Sequence, residues 1–121
     1  MASIRYLVHD VPAAVGFYTE RLGFEVELQA GTGFAALRRD DLRLLLNRPG
    51  FGGAGTAGGD PQPGGWLRFQ LEVDDLHGEV ARLRDAGCSF RSDVVEGRGG
   101  RQALVEDPSG NLVELFEPLP L

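Results

Sequence analysis

A chain of 121 residues holds one domain with a real core and is too short for two ordinary ones. Its 42% hydrophobic and 25% charged composition is that of a globular protein, with no apolar run approaching a membrane span and no basic-then-apolar leader in the opening MASIRYLVHD, so a cytoplasmic protein is expected. A net charge of −6 argues against nucleic acid as a partner and weakly favours a neutral or cationic ligand, while the single cysteine, Cys88, excludes an internal disulfide framework and a thiolate zinc cluster.

The first element is a strand, because Ile4, Tyr6 and Val8 alternate with Ser3, Arg5 and Leu7. Asp10 then reads as a helix N-cap with Pro12 in the first turn, where the missing N–H costs nothing. Val11, Ala14, Val15, Tyr18 and Leu22 recur at helical spacing and form one apolar stripe, and Gly23 stops the helix. Three strands follow, FEVEL, GFAALRR and LRLLLN, the last two joined by a tight hairpin at RRDDLR.

From Arg48 to Gly65 the sequence RPGFGGAGTAGGDPQPGG reads as a connector. Its glycines do not make a phosphate loop, since no Gly-Lys-Ser/Thr follows and no helix opens after it. A loop of this length is also suited to covering a binding site.

The pattern is then written a second time at an offset of 65 residues: Val8 matches Val73, Asp10 matches Asp75, and Val15 matches Val80. Leu67, Phe69, Leu71 and Val73 take one face of a strand, and Arg68, Gln70 and Glu72 the other. Asp75 caps a helix with Leu76, Val80 and Leu83 on its inner side, closed by Gly87, and Cys88 reads as a small buried residue just after it. SFRSDVV, RQALVED and NLVELFE complete the module, with DPSGN as a proline-glycine turn before the last strand. The chain therefore reads βαβββ, linker, βαβββ.

Paired modules of this kind, with VPAAVGFYTERLGF near the start, LEVDDL heading the second half and VEDPSGNLVELFEP at the end, resemble the vicinal oxygen chelate superfamily. That group includes glyoxalase I, extradiol dioxygenases, fosfomycin-modifying enzymes and bleomycin resistance proteins. The resemblance spans residues 3 to 118 and implies a single α+β domain, with module one at 3–47, linker at 48–65 and module two at 66–118. Its two mixed-sheet halves are expected to curl into one concave cup.

The resemblance also implies where a metal would sit. Family members that use one carry ligands on the first and last strands of each module, and those positions fall here on Ser3, Arg68, about Leu44, and Glu114. Only Glu114 is a ligand type, and one carboxylate does not hold a zinc, nickel or iron ion, which takes three or more protein ligands. His9, at a strand-to-helix corner, and His77, in a first helical turn, read as solvated surface residues. No metal and no cofactor are expected.

Arg68 and Glu114 should instead pair across the vacated site, since an unpaired buried ion is expensive. Such a pair serves either as a strut between strands or as a direct ligand contact. The expected binding set is Arg5, Trp66, Arg68, Gln70, Glu114 and Phe116. Trp66 stands at the mouth of its strand, where the plainer reading is a core or interface aromatic and the functional one a stacking surface. Phe34 and Phe51 are weaker aromatic candidates.

The resulting expectation is a metal-independent small-molecule binding protein, similar to the bleomycin-resistance branch, that sequesters an aromatic or amphipathic antibiotic or natural product as a homodimer. The alternative is an enzyme of the same superfamily with Glu114 as metal ligand or general base. A neighbouring guanidinium works against the second role, because it favours the ionised carboxylate over its conjugate acid.

Overall fold

The computed structural model describes residues 1–51 and 59–120, so the middle of the expected linker lies outside the described residues. The chain divides into two compact units, Met1–Gly64 with Pro108–Asn111, and Gly65–Asp107 with Leu112–Leu121.

In the first unit, β1 (Ala2–Leu7), α1 (Val11–Leu22), β2 (Glu25–Ala30), β3 (Phe34–Arg39) and β4 (Leu42–Asn47) follow in order. The sheet order is β1-β4-β3-β2, with β1 parallel to β4 and the remaining pairs antiparallel. The Asp10 carboxylate accepts the Ala13 N–H at 3.0 Å, as an N-cap should, and the N–H of Gly23, in the left-handed conformation, closes the helix onto the Tyr18 carbonyl. Val11, Ala14, Tyr18 and Leu22 are buried with Tyr6, Leu37, Leu44 and Leu46, so the helix stripe and one sheet face form this unit's core. Val15 is only half-buried, at the edge of that stripe.

One expectation shifts by a residue here. Phe24 does not open β2; it is buried and meets the Tyr18 ring edge-on at 5.5 Å, and the strand begins at Glu25. The hairpin is as tight as expected, with Arg39 opposite Leu42 and Asp40 carrying a positive φ of 52°, a conformation that aspartate tolerates better than most residues.

The second unit contains β5 (Arg68–Glu72), α2 (Leu76–Asp85), β6 (Ser89–Phe90), β7 (Val95–Glu96), β8 (Gly100–Glu106) and β9 (Leu112–Pro118). Its sheet order is β5-β9-β8-β6, with β7 also on β8 and β5 parallel to β9. Asp75 caps α2 by accepting from Gly78, and the helix ends with Gly87 N–H on the Arg84 carbonyl and Cys88 N–H on the Leu83 carbonyl, the two bonds of a glycine-closed C-terminus. Leu76, Val80 and Leu83 are buried as the periodicity requires. Cys88 is half-buried rather than enclosed.

The stretch SFRSDVV is not one strand. It breaks into two-residue β6 and β7, because the Ser92 hydroxyl takes the Leu104 N–H at 3.0 Å and so occupies a ladder position on β8 with a side chain. No helix among the described residues is long and apolar enough to cross a membrane.

Candidate functional site

The parallel register of β5 on β9 sets Arg68 opposite Leu112, Gln70 opposite Glu114, and Glu72 opposite Phe116. Side chains directly opposite one another point to the same face, so Arg68, Gln70 and Glu114 share one surface of the second sheet. The continuing pairing of β9 with β8 adds Glu106, Leu104 and Gln102 to it. The opposite surface, carrying Leu71, Ala103, Val105, Val113 and Leu115, is buried and faces α2.

Glu114 is 7% exposed, and both its oxygens are engaged. Arg68 Nε donates to Oε1 at 2.8 Å, and Gln70 Nε2 donates to Oε2 at 2.6 Å. The expected ion pair is therefore present, with Gln70 as a third member. A carboxylate this deep would be costly alone, and the guanidinium with the amide replaces the water it has lost. The Arg68 side chain remains 34% exposed, so the cationic end of the set faces outward.

The corresponding surface of the first sheet follows from β1 on β4, where Ser3 lies opposite Arg43 and Arg5 opposite Leu45. The position equivalent to Glu114 is thus Leu45, not Leu44. A one-residue slip reverses the face of a strand residue, and Leu44 is fully buried in the helix-side core opposite Ile4. The residue remains apolar, so a carboxylate is missing from the first module in either register.

On this same surface Glu27, beside the irregularity in β2, accepts from Arg43 Nε at 2.8 Å and lies 3.8 Å from Arg38 Nη1. The Arg43 hydrogen bond holds the Glu27 carboxyl below its ordinary value, with the charges of Arg43 and Arg38 acting in the same direction. Arg5 is exposed, and among the described residues its side chain has no hydrogen-bond or ion-pair partner.

Trp66 is not a core residue: it is 67% exposed. Gly64 and Gly65 precede it with positive φ angles of 103° and 92°, and the paired strand begins only at Arg68, so the indole lies outside the ladder. The Arg91 guanidinium lies 4.6 Å from the indole centroid. Arg91 and its partner Glu106 are the residues that sequence reasoning missed. They come from β6–β8 segments whose register no pattern in SFRSDVV reveals.

Phe116 is half-buried on the Glu114 strand, and Phe34 is half-buried on β3. Phe51 is exposed, with Arg48 placed 4.5 Å over its ring. His9 and His77 are exposed, as expected.

A divalent metal of the kind used elsewhere on this fold does not suit these residues. Among the described residues no three His, Cys, Asp or Glu side chains gather into a ligand set, and Glu114 spends both oxygens on Arg68 and Gln70. What the arrangement does offer is recognition chemistry: a guanidinium edge, an amide and an exposed aromatic on neighbouring positions of one strand and its lead-in.

Comparison with solved structures gives the same architecture over nearly the whole chain. TnmS3, an antibiotic binding protein from Streptomyces sp. CB03234, is 28% identical with a TM-score of 0.74, covering 97% of this chain and 93% of that one. The bleomycin-binding protein of bleomycin-producing Streptomyces verticillus, complexed with copper(II)-bleomycin, is 26% identical with a TM-score of 0.66, covering 98% and 95%. Lactoylglutathione lyase from Agrobacterium tumefaciens is 21% identical with a TM-score of 0.77, covering 97% and 92%, a likeness of fold alone. The family model for the Glyoxalase/Bleomycin resistance protein/Dioxygenase superfamily matches residues 1–115, and with the paired modules in place the chain belongs to that superfamily.

Proposed function

We propose that the protein binds a small aromatic or amphipathic molecule, of the antibiotic or natural-product kind, without a metal and without transforming it. The observation that carries this reading is the Arg68–Glu114–Gln70 set: the one carboxylate at a ligand position is already satisfied by two neighbouring side chains. Two of the similar structures, TnmS3 and the bleomycin-binding protein, are named for binding antibiotics, which supports the same reading. Arg5, Arg68 and Gln70 are proposed as polar contacts, Trp66 and Phe116 as apolar ones, and a homodimer as the working form.

The enzymatic alternative, with Glu114 as metal ligand or base, would first have to displace Arg68 and Gln70 from its oxygens, and no observation favours it. The test is metal analysis of the purified protein together with thermal-shift measurements against bleomycin, other aromatic antibiotics and glutathione conjugates. Saturating ligand should raise the melting temperature by about 5 °C or more without added metal, and Arg68→Ala should weaken that response. A stoichiometric divalent ion bound through Glu114 would sink the proposal.

A further inference from the structure

Trp66 is the only tryptophan in the chain, and it is left on the surface. An indole that exposed ordinarily samples several rotamers. This one is covered on one side by Arg91, whose guanidinium is itself pinned at two edges: Nε donates to Glu106 Oε1 at 3.0 Å, and Nη1 donates to the Gly65 carbonyl at 2.6 Å. The Gly65 bond ties the arginine to the residue immediately before the tryptophan. Cation, ring and backbone thus form one linked unit in which the pinned cation biases the ring toward this rotamer. Among the described residues the indole N–H has no hydrogen-bond partner.

We infer that Arg91, anchored by Glu106 and Gly65, is a positioning residue that holds Trp66 as a one-sided platform for a planar ring. This rests on the binding-protein reading above and specifies the part of the ligand that is recognised. A guanidinium stacked on one face leaves the other face for stacking, and a planar partner covers it at a reduced cost in indole freedom, because the ring is already biased toward one rotamer. The platform is continuous with the Arg68 set: Glu106 and Arg68 both lie opposite Leu112 in the sheet register, one on each side of β9. A ligand seated on the indole therefore reaches the guanidinium edge of Arg68 along one row. A saturated ring, puckered and without a π-face, would gain little there.

The single tryptophan gives one indole N–H resonance, so the test reads Trp66 directly. The full chain is titrated with 2-naphthylacetate and with cyclohexylacetate, two probes of equal charge that differ in planarity and whose carboxylate suits the Arg68 guanidinium, while the melting temperature is followed in parallel. The naphthyl probe should move the indole resonance saturably by its ring current, and the cyclohexyl probe should bind about tenfold more weakly or not at all. Arg91→Ala should broaden or shift the free resonance and weaken the naphthyl probe several-fold at little change in melting temperature, with Arg91→Lys restoring only part of the affinity because lysine lacks the planar fork. Equal binding of both probes, or Arg91→Ala with unaltered affinity, overturns the platform. Stabilisation by bleomycin with the indole resonance unmoved overturns the platform and leaves the binding-protein reading standing; no binding by any probe or drug sinks both. An indole shift that follows protein dilution without a probe assigns the surface to a second copy and also overturns the inference.

Discussion

Glu114 is a charged side chain placed where its strand neighbours Val113 and Leu115 are fully buried, and its two partners are what make that position tenable. Removing Arg68 leaves a carboxylate in low dielectric with one amide donor, whereas Glu114→Gln removes the charge and keeps a hydrogen-bonding group of the same shape. Arg68→Ala should therefore cost about 1–3 kcal/mol of unfolding free energy, discounted for the partial exposure of the arginine, and Glu114→Gln clearly less. Urea midpoints of the two variants check the order; a larger loss for Glu114→Gln would mean that the guanidinium, not the carboxylate, is the group in need of a partner. The identity of Glu114 as an unusual strand residue is legible in LVELFE, because a lone charge interrupts an apolar run. Gln70 as its second partner is not, since that contact depends on a parallel register between strands 44 residues apart in the chain. Trp66 misleads for a related reason: a large aromatic ahead of an alternating strand suggests a core, and only the two left-handed glycines before it and the distant Arg91 show otherwise.

At the level of elements, both helices and their strands were readable because caps, stripe and stop agree. Asp10 and Asp75, with the glycines that follow each helix, bracket the right segments to within a residue or two. SFRSDVV resisted because a strand pattern and a serine that bonds a neighbouring backbone look alike in one dimension. β2 is the exposed edge of its sheet, with every residue on the surface and Val26 and Leu28 uncovered. A charged residue beside a register shift is a usual means of blunting such an edge, and Glu27 with Arg43 and Arg38 fits that description. Because its carboxyl is held below the ordinary value of 4.5, Glu27 contributes stability that is present above that pH and is lost as the pH falls below it through the folded-state value. Glu27→Gln should flatten the acid side of the stability curve, most visibly at low salt, where the exposed pair is least screened. Identical curves for variant and parent in 20 mM buffer, a salt level at which charge effects are roughly unscreened over contact distances, would remove Glu27 from the account.

On the scale of the whole molecule, the chain passes between its two units more than once. Pro108–Asn111, the turn joining β8 to β9 of the second unit, belongs by its contacts to the first. Asn111 accounts for this: its Oδ1 accepts the Gly64 N–H at 2.9 Å, and its Nδ2 donates to the Leu7 carbonyl at 2.7 Å. Ser109 adds a bond from the His9 N–H at 2.8 Å. Asn111→Ala leaves a backbone donor and acceptor without these partners and should cost about 1–3 kcal/mol. The bonds lost all lie within the first unit, so a lower urea midpoint by circular dichroism checks the prediction, and an unchanged midpoint would remove Asn111 from the account. DPSGN was legible as a turn; that its last residue is also a tie was not, because nothing in a loop's composition says which distant backbone it meets.

The closed bonding of Glu114 also constrains the evolutionary routes open to this chain. Replacing Arg68 with histidine would supply a second donor but strand the carboxylate with a single amide, and replacing Gln70 alone would supply nothing to coordinate with. Building a chelating centre around Glu114 therefore takes coordinated changes at both partner positions, because each of its oxygens is held by a different side chain.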